Sequence, residues 1–295
     1  MTYLYYIIAG LAGGVLIGMA GLTAAMVLTP ILSGVCGWNG YDATTMSLIA
    51  NVPSAVVSSY TYYKNGNVDM KRGGTISISA FAGAAVGSWL GYLFSQVSEN
   101  GISYLVIVGN LFMAIKFFCP AKQKPETSAL EADRITRERR KTLLALLLSF
   151  LIGVECGFMG SAGGMMMLMV LTLVMGMNTK QAVGTGSIVM TLVALTGAVS
   201  HLIMGATVDF IPAIVITISC TIGAMGSAKF ANKINERLMS CCAGVVLVLV
   251  SIVSLVLNKQ KQDIRSETVL VVCIRRHFFS DNETFLGTMK LTQSH

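Results

Sequence analysis

Eight long apolar runs, at about 3–36, 43–63, 74–96, 101–119, 142–176, 182–204, 210–231 and 237–257, leave this chain few ways to fold. A helix needs roughly 20 apolar residues to cross the hydrocarbon core of a bilayer. Inside that core every backbone N–H and C=O must be satisfied within the spanning element, so only helices and closed barrels are available. A barrel would show alternating strands of about ten residues; these runs are continuous and rich in Ala, Leu and Met. Only 12% of the residues are charged, against roughly 25% in soluble domains, so most of the chain is built to avoid water. The expected fold is an all-α polytopic membrane protein whose first partner is the lipid bilayer.

The net charge of +7 does not point to nucleic acid. The cations sit in loops and in the tail, as in membrane proteins with basic cytoplasmic segments. The seven cysteines (36, 119, 156, 220, 241, 242 and 273) show neither a C-x-x-C pair nor metal-ligand spacing. They read as small core residues, with no disulfide framework, metal or cofactor. Run 3–36 is too long for a cleaved signal peptide and lacks a positive first region.

One basic segment, 120–141, with seven Lys/Arg, four acids and two Pro, separates two halves of similar length. The halves repeat. Gly14-Val15, Gly18 and Gly21 recur as Gly153-Val154, Gly157 and Gly160, 139 residues later. Reading Ser47 onto Ser187, Asn51 onto Thr191, Thr61 onto His201, Asp69 onto Asp209 and Gly83 onto Gly223 changes the offset to 140, placing one extra residue near 183–186. The expected organisation is a transmembrane repeat at 3–119, a cytoplasmic linker at 120–141, a second repeat at 142–257 and a polar tail at 258–295. Such duplication is common in secondary transporters, which bind their substrate near the midplane between the repeats.

The charge pattern also bears on orientation. Lys64, Lys71 and Arg72 lie in the loop 64–72, whose counterpart 205–209 has no base; Lys229, Lys233 and Arg237 lie in 229–237, whose counterpart 97–100 has none. Basic loops favour the cytoplasm, so the repeats are expected to be inverted. Runs 3–36 and 142–176, each broken by glycines, would then fold as bent or re-entrant pairs. Eight simple crossings with parallel repeats are the alternative; they keep the basic tail inside but put 229–237 outside.

The first candidate site comprises the two glycine breaks, Gly18 and Gly21 in one half and Gly160, Ser161, Gly163 and Gly164 in the other. Glycine in a helix interior costs about 1 kcal/mol relative to alanine, so such clusters in mid-membrane need a reason. Close helix packing is one; an unwound elbow whose N–H groups bind an anion is the other. Pro30 is a further interruption without a counterpart. The second candidate is the stripe Ser47, Asn51, Ser54, Ser58 and Thr61, spaced to share one helix face, with Thr185, Ser187, Thr191 and His201 on the corresponding segment. These hydroxyls either bond to their own backbone or meet across the repeats to line a pathway of neutral donors. Glu155 lies in an apolar run beside the second break, and an ionisable residue there is a functional candidate for proton coupling. His201, near the end of its segment, is expected at the interface, where it could also carry protons. Asp69 and Asp209 are expected to cap the helices that follow them. No H-E-x-x-H, G-x-S-x-G or P-loop motif occurs, so the chain does not read as an enzyme or an ATP-driven pump.

The segments Gly157-Phe158-Met159-Gly160-Ser161-Ala162-Gly163-Gly164, Ala182-Val183-Gly184-Thr185-Gly186-Ser187, Gly205 to Asp209 and Gly223-Ala224-Met225-Gly226, with Pro30-Ile31-Leu32 in the first half, resemble the sulfite exporter TauE/SafE family. The resemblance covers about 7–257 and is clearer in the second half, since Ala24 and Ala25 stand where that family usually has glycines. It implies a plasma-membrane permease for small anions, typically sulfite and organosulfonates. Neutral donors and half-helix N-termini would suit such an oxyanion. Competing readings are a structural membrane protein whose glycines only pack helices, a transporter of an unrelated solute, and a membrane enzyme, which would need clustered acids, His or Cys. A homo-oligomer is compatible with each.

Overall fold

The computed structural model describes residues 2–34, 36–97, 131–160 and 163–234, with isolated positions 238, 245 and 252 beyond them. All of these belong to one compact unit, Met1–Ser254; the remainder, Leu255–His295, forms a second. The expected run 101–119, all but three positions of 237–257, the first half of the linker 120–141 and the tail lie outside the described residues.

The described residues with regular structure are helical. We number the helices α1 (Thr2–Ala20), α2 (Ala25–Gly34), α3 (Gly40–Lys64), α4 (Met70–Val97), α5 (Glu131–Met159), α6 (Gly163–Met169), α7 (Thr179–Ile203) and α8 (Phe210–Lys233). A π-helical turn, Val170–Val174, prolongs α6. Among the described residues α1, α4, α5, α7 and α8 are long and apolar enough to cross a membrane, and α2 and α6 are short apolar helices. At 25 residues α3 is as long as α7, but its polar residues lower its hydropathy. Large apolar side chains such as Ile78, Leu143, Phe210 and Ile211 face outward, where only lipid could accept so much apolar surface.

Two close helix pairs set the architecture. Along α1 and α8, Gly10 lies against Ile216, Gly14 against Cys220 and Gly18 against Ala224. Along α4 and α5, Gly83 lies against Phe150, Gly87 against Val154 and Gly91 against Phe158. Both series climb four residues at a time on both partners, so each pair runs parallel. A methyl group at Gly14 or Gly87 would overlap the carbonyl oxygen of Cys220 or Val154; only glycine lets these backbones approach so closely. Two cores result. Residues of α1, α2, α3 and α8 (Ile17, Leu28, Met46, Cys220) form one, and residues of α4, α5, α6 and α7 (Ile76, Ile152, Met167, Val189) form the other. The first core takes α8 from the second half of the chain, and the second takes α4 from the first half.

Among the described residues six glycines have positive φ, and they fall into three pairs, Gly21 and Gly160, Gly37 and Gly176, Gly66 and Gly205, each 139 residues apart. Helices α3 and α7 also start and end 139 apart, whereas α4 and α8 start 140 apart. On the expected repeat these spacings place the extra residue in the loop between Gly205 and Phe210 rather than near 183–186. A residue inserted within a helix turns all that follows by about 100°, whereas a surface loop absorbs it. The pairing of Ser47 with Ser187, and of Thr61 with His201, gives way to one of Tyr62 with His201.

Candidate functional site

The breaks lie where the sequence places glycine. Helix α1 ends at Ala20, Gly21 turns with φ +64°, and α2 begins at Ala25; α5 ends at Met159 and Gly160 turns with φ +72°. A left-handed backbone costs most residues about 1–2 kcal/mol and glycine almost nothing. Pro30 interrupts nothing: it sits inside α2, past the break. The elements are unequal, since α1 is a full-length helix and α2 a 10-residue return.

The two breaks meet. A side chain at Gly164 would strike the Gly21 carbonyl and Leu22, Gly160 packs on Thr44 and Ala25, and Gly21 packs on Val183. Thr44 and Val183 are themselves 139 residues apart. Gly163 rests on Cys156 and Ile152, while Gly18 lies in the α1–α8 contact, against Ser227 and Ala224. Ser161 lies outside the described residues.

Leaving a helix frees its last carbonyls, and both breaks are capped from another helix. Tyr62 Oη donates to the Gly18 oxygen at 3.0 Å, and His201 Nε2 lies 3.0 Å from the Gly157 oxygen. At the start of α2, the Ala24 N–H donates to Asn51 Oδ1 at 3.0 Å, so an amide from mid-α3 caps the return helix. The Asn51 Nδ2 and the Thr44 hydroxyl are buried and have no hydrogen-bond partner among the described residues. Thr29 and Ser47 exchange a 3.3 Å contact beside them. The centre is thus uncharged: among the described residues the buried polar side chains are Ser, Thr, Asn and His201.

The other candidates separate. On α3, Ser47 and Asn51 face α2, Ser54 faces Thr221 of α8 at 3.3 Å, and Thr61 bonds to Val57 of its own helix. On α7, Ser187 donates to the Val183 carbonyl and Thr191 to that of Ser187. The two stripes do not meet; α3 and α7 touch through Leu48, Val52, Ala194 and Ala198. Thr185 accepts from the Asp69 N–H at 3.0 Å and ties α7 to the start of α4. Asp69 caps α4 by accepting from the Arg72 N–H, whereas Asp209 stands at the start of α8 without a side-chain cap bond. Glu155 is half-buried on α5. His201 is not interfacial: it is fully buried, stacked on Tyr41 with ring centres 4.4 Å apart, and its Nδ1 lies 2.9 Å from Thr45 Oγ1. Tyr41, Thr45 and Tyr62 were not singled out in the sequence; the shift from 140 to 139, which sets Tyr62 opposite His201, is the signal that would have marked Tyr62.

The two ends of the bundle differ. At one, Asn67 donates to Asn232, Lys180 Nζ to the Asn232 carbonyl and Arg72 to the Met175 carbonyl. Lys64, Lys71, Lys229 and Lys233 lie on or beside the helix ends there. At the other, the Asp42 carboxylate accepts from the Thr207 N–H and hydroxyl, and Tyr41 meets Tyr92 edge-on.

Similar proteins give the same picture. A family model described as "Sulfite exporter TauE/SafE" matches residues 6–254. Three Bacillus subtilis (strain 168) proteins are similar along most of their length. The probable membrane transporter protein YunE is 23% identical over 85% of this chain and 96% of its own. For YdhB, described likewise, the figures are 24%, 74% and 86%, and for YjnA 20%, 82% and 96%. No solved structure matches. A bundle of apolar helices, over which the family model runs from residue 6 to 254, makes this chain a membrane transporter of the TauE/SafE sulfite exporter family.

Proposed function

We propose that this chain is a secondary transporter of small anions, of the sulfite or organosulfonate type, working across the plasma membrane by alternating access between two inverted copies of one unit. The single observation that carries this reading is the crossing of the two breaks in a buried centre, where Asn51 Nδ2 and the Thr44 hydroxyl are donors without partners among the described residues. Neutral donors beside a helix start suit a monovalent or divalent oxyanion that has to leave again; a fixed cation would hold it. The substrate site we assign comprises Gly21, Ser47, Asn51, Gly160, Gly163 and Gly164, with Ser161 between the last three in sequence; Ser187 and Thr191, whose hydroxyls bond to their own helix, are left out of it.

The inverted arrangement has its own support. Contacts recur at the same offset across the halves: Tyr62 on Gly18 answers His201 on Gly157, and Gly14 on Cys220 answers Gly153 on Ala80. The corresponding helices of the two halves run in opposite directions: the start of α3 meets the end of α7 at Thr45 and His201, and its end meets the start of α7 at Tyr62 and Gly184. The basic loops all fall at one end, which we assign to the cytoplasm.

A purely structural role also has an observation in its favour, since Gly14, Gly18, Gly83, Gly87, Gly153 and Gly157 are all used for helix packing. It leaves the uncharged centre without a purpose. Flux of sulfite, sulfate and a small organosulfonate into proteoliposomes decides between the two. Saturable flux of one anion, lost in a folded Asn51→Asp or Gly163→Leu variant, supports transport; folded protein that moves none of them refutes the substrate class.

A further inference from the structure

We infer that His201 is the proton-binding residue of this transporter, with the Thr45 hydroxyl as the partner that turns when the proton arrives. The inference rests on the transporter reading but not on which anion is carried. The carbonyl of Gly157 can only accept, so His201 Nε2 carries a hydrogen in both charge states. The other nitrogen, Nδ1, faces Thr45 Oγ1 at 2.9 Å, and the same oxygen lies 2.9 Å from the Tyr41 carbonyl. One hydroxyl hydrogen serves two acceptors. With neutral His201 it points to Nδ1. When a proton from water occupies Nδ1, that N–H donates to Oγ1 and the hydroxyl hydrogen turns to the Tyr41 carbonyl. Every polar atom stays bonded in both states, so proton binding strands no buried group.

A charge buried here needs compensation, and three features of the fold provide it. His201 lies in the last turn of α7, and the carbonyl it bonds lies in the last turn of α5, so two negative helix ends converge on the ring. The face of Tyr41 lies against the imidazole, a cation–π geometry. The titratable groups around it are Tyr41 and Asp42 on α3, Tyr92 on α4, and Glu155 and Cys156 on α5; Asp42 is bonded to Thr207, and Tyr92 meets Tyr41 edge-on. The first half has no equivalent, because Tyr62 caps Gly18 with a phenol that does not take up a proton. Only the second break is therefore proton-sensitive.

Gly157 precedes the Gly160 turn by three residues. A charged ring makes a stronger bond to its carbonyl, so protonation holds α7 on α5 beside the break and places a positive charge near the anion. Proton and anion then favour each other's binding, by the same factor in each direction.

The test uses the whole chain in lipid nanodiscs and proteoliposomes. The sequence has three histidines, and the other two, His277 and His295, lie in the tail. Nitrogen-15 histidine NMR therefore reads His201 directly once those two are replaced by Asn. The expected result is a change from the Nε2–H tautomer to the doubly protonated ring, over the same pH range in which the anion KM falls, by up to about tenfold per pH unit. His201→Gln, which keeps a donor for Gly157, should transport without pH dependence and without moving protons; Thr45→Val should displace the pH profile. A ring that stays neutral while flux changes with pH, or a wild-type pH profile in H201Q, overturns the inference. Should H201Q fail to fold, the NMR titration decides alone. A ring that titrates in folded protein carrying none of the anions would sink the substrate class and leave the proton site standing; anion flux indifferent to pH would do the reverse.

Discussion

Replacing Asn51 separates the two jobs of its amide. Its Oδ1 accepts from the Ala24 N–H at 3.0 Å, and its Nδ2 is the buried donor assigned to the anion. Asn51→Asp at about pH 8, where an unperturbed carboxyl is ionised, keeps an oxygen for the cap and removes the donor. The peptide dipoles at a helix start favour a carboxylate, but at this buried position they offset only part of its desolvation, so N51D should also lose a few kcal/mol of stability. A hydrogen bond to a charged group contributes about 1.5–3 kcal/mol, which is roughly 10- to 150-fold in affinity. The added negative charge can only increase that loss. Asn51→Ala removes both groups. It leaves a buried N–H unpaired, at a cost of about 1–3 kcal/mol, and lowers the unfolding temperature by about 2–4 °C for each kcal/mol. Thermal unfolding in detergent and anion uptake in proteoliposomes read the two effects separately. An N51D variant with the wild-type KM at pH 8 would refute the donor role, and an N51A variant as heat-stable as the wild type would refute the cap.

Gly87→Ala forces a methyl group against the Val154 carbonyl; overpacking of this kind costs about 1–3 kcal/mol, and thermal unfolding should show it, while Gly226→Ala, with open space around it, should be neutral. Tyr62→Phe strands the Gly18 carbonyl and should cost about 1–2 kcal/mol without altering the pH profile of transport, since this cap carries no proton. Single cysteines placed at Lys71 and Thr207 of a cysteine-free chain should react with an impermeant thiol reagent from opposite sides of the membrane, Lys71 from the cytoplasm; labelling of both from one side would overturn the inverted arrangement.

Much of the frame is legible in the sequence because a bilayer imposes it. Runs 74–96, 182–204 and 210–231 coincide with α4, α7 and α8 to within four residues at either end, and the glycine clusters lie within a few residues of the ends of α1 and α5. The stripe on α3 is legible as a face, and its residues are indeed buried. Its neighbours are not legible: the stripe faces α2 and α8 rather than α7. His201 was misread for a related reason. Closeness to a helix end suggests an interface, yet Tyr41, Thr45 and Gly157 close over the ring from two other helices.

The sequence by itself determined that the chain is a helical membrane protein, that it breaks at Gly21 and Gly160, and that its basic loops are paired with neutral ones. These follow from hydropathy, glycine content and charge, which act on each segment alone. Only the tertiary structure decided that α1 lies parallel to α8 and α4 to α5, that the extra residue sits in the loop before α8, and which hydroxyls bond to their own helix. Periodicity specifies which face of a helix is buried, but in lipid, where apolar surface has little preference among partners, the partner is chosen by close glycine packing and by the few polar groups that must find one another.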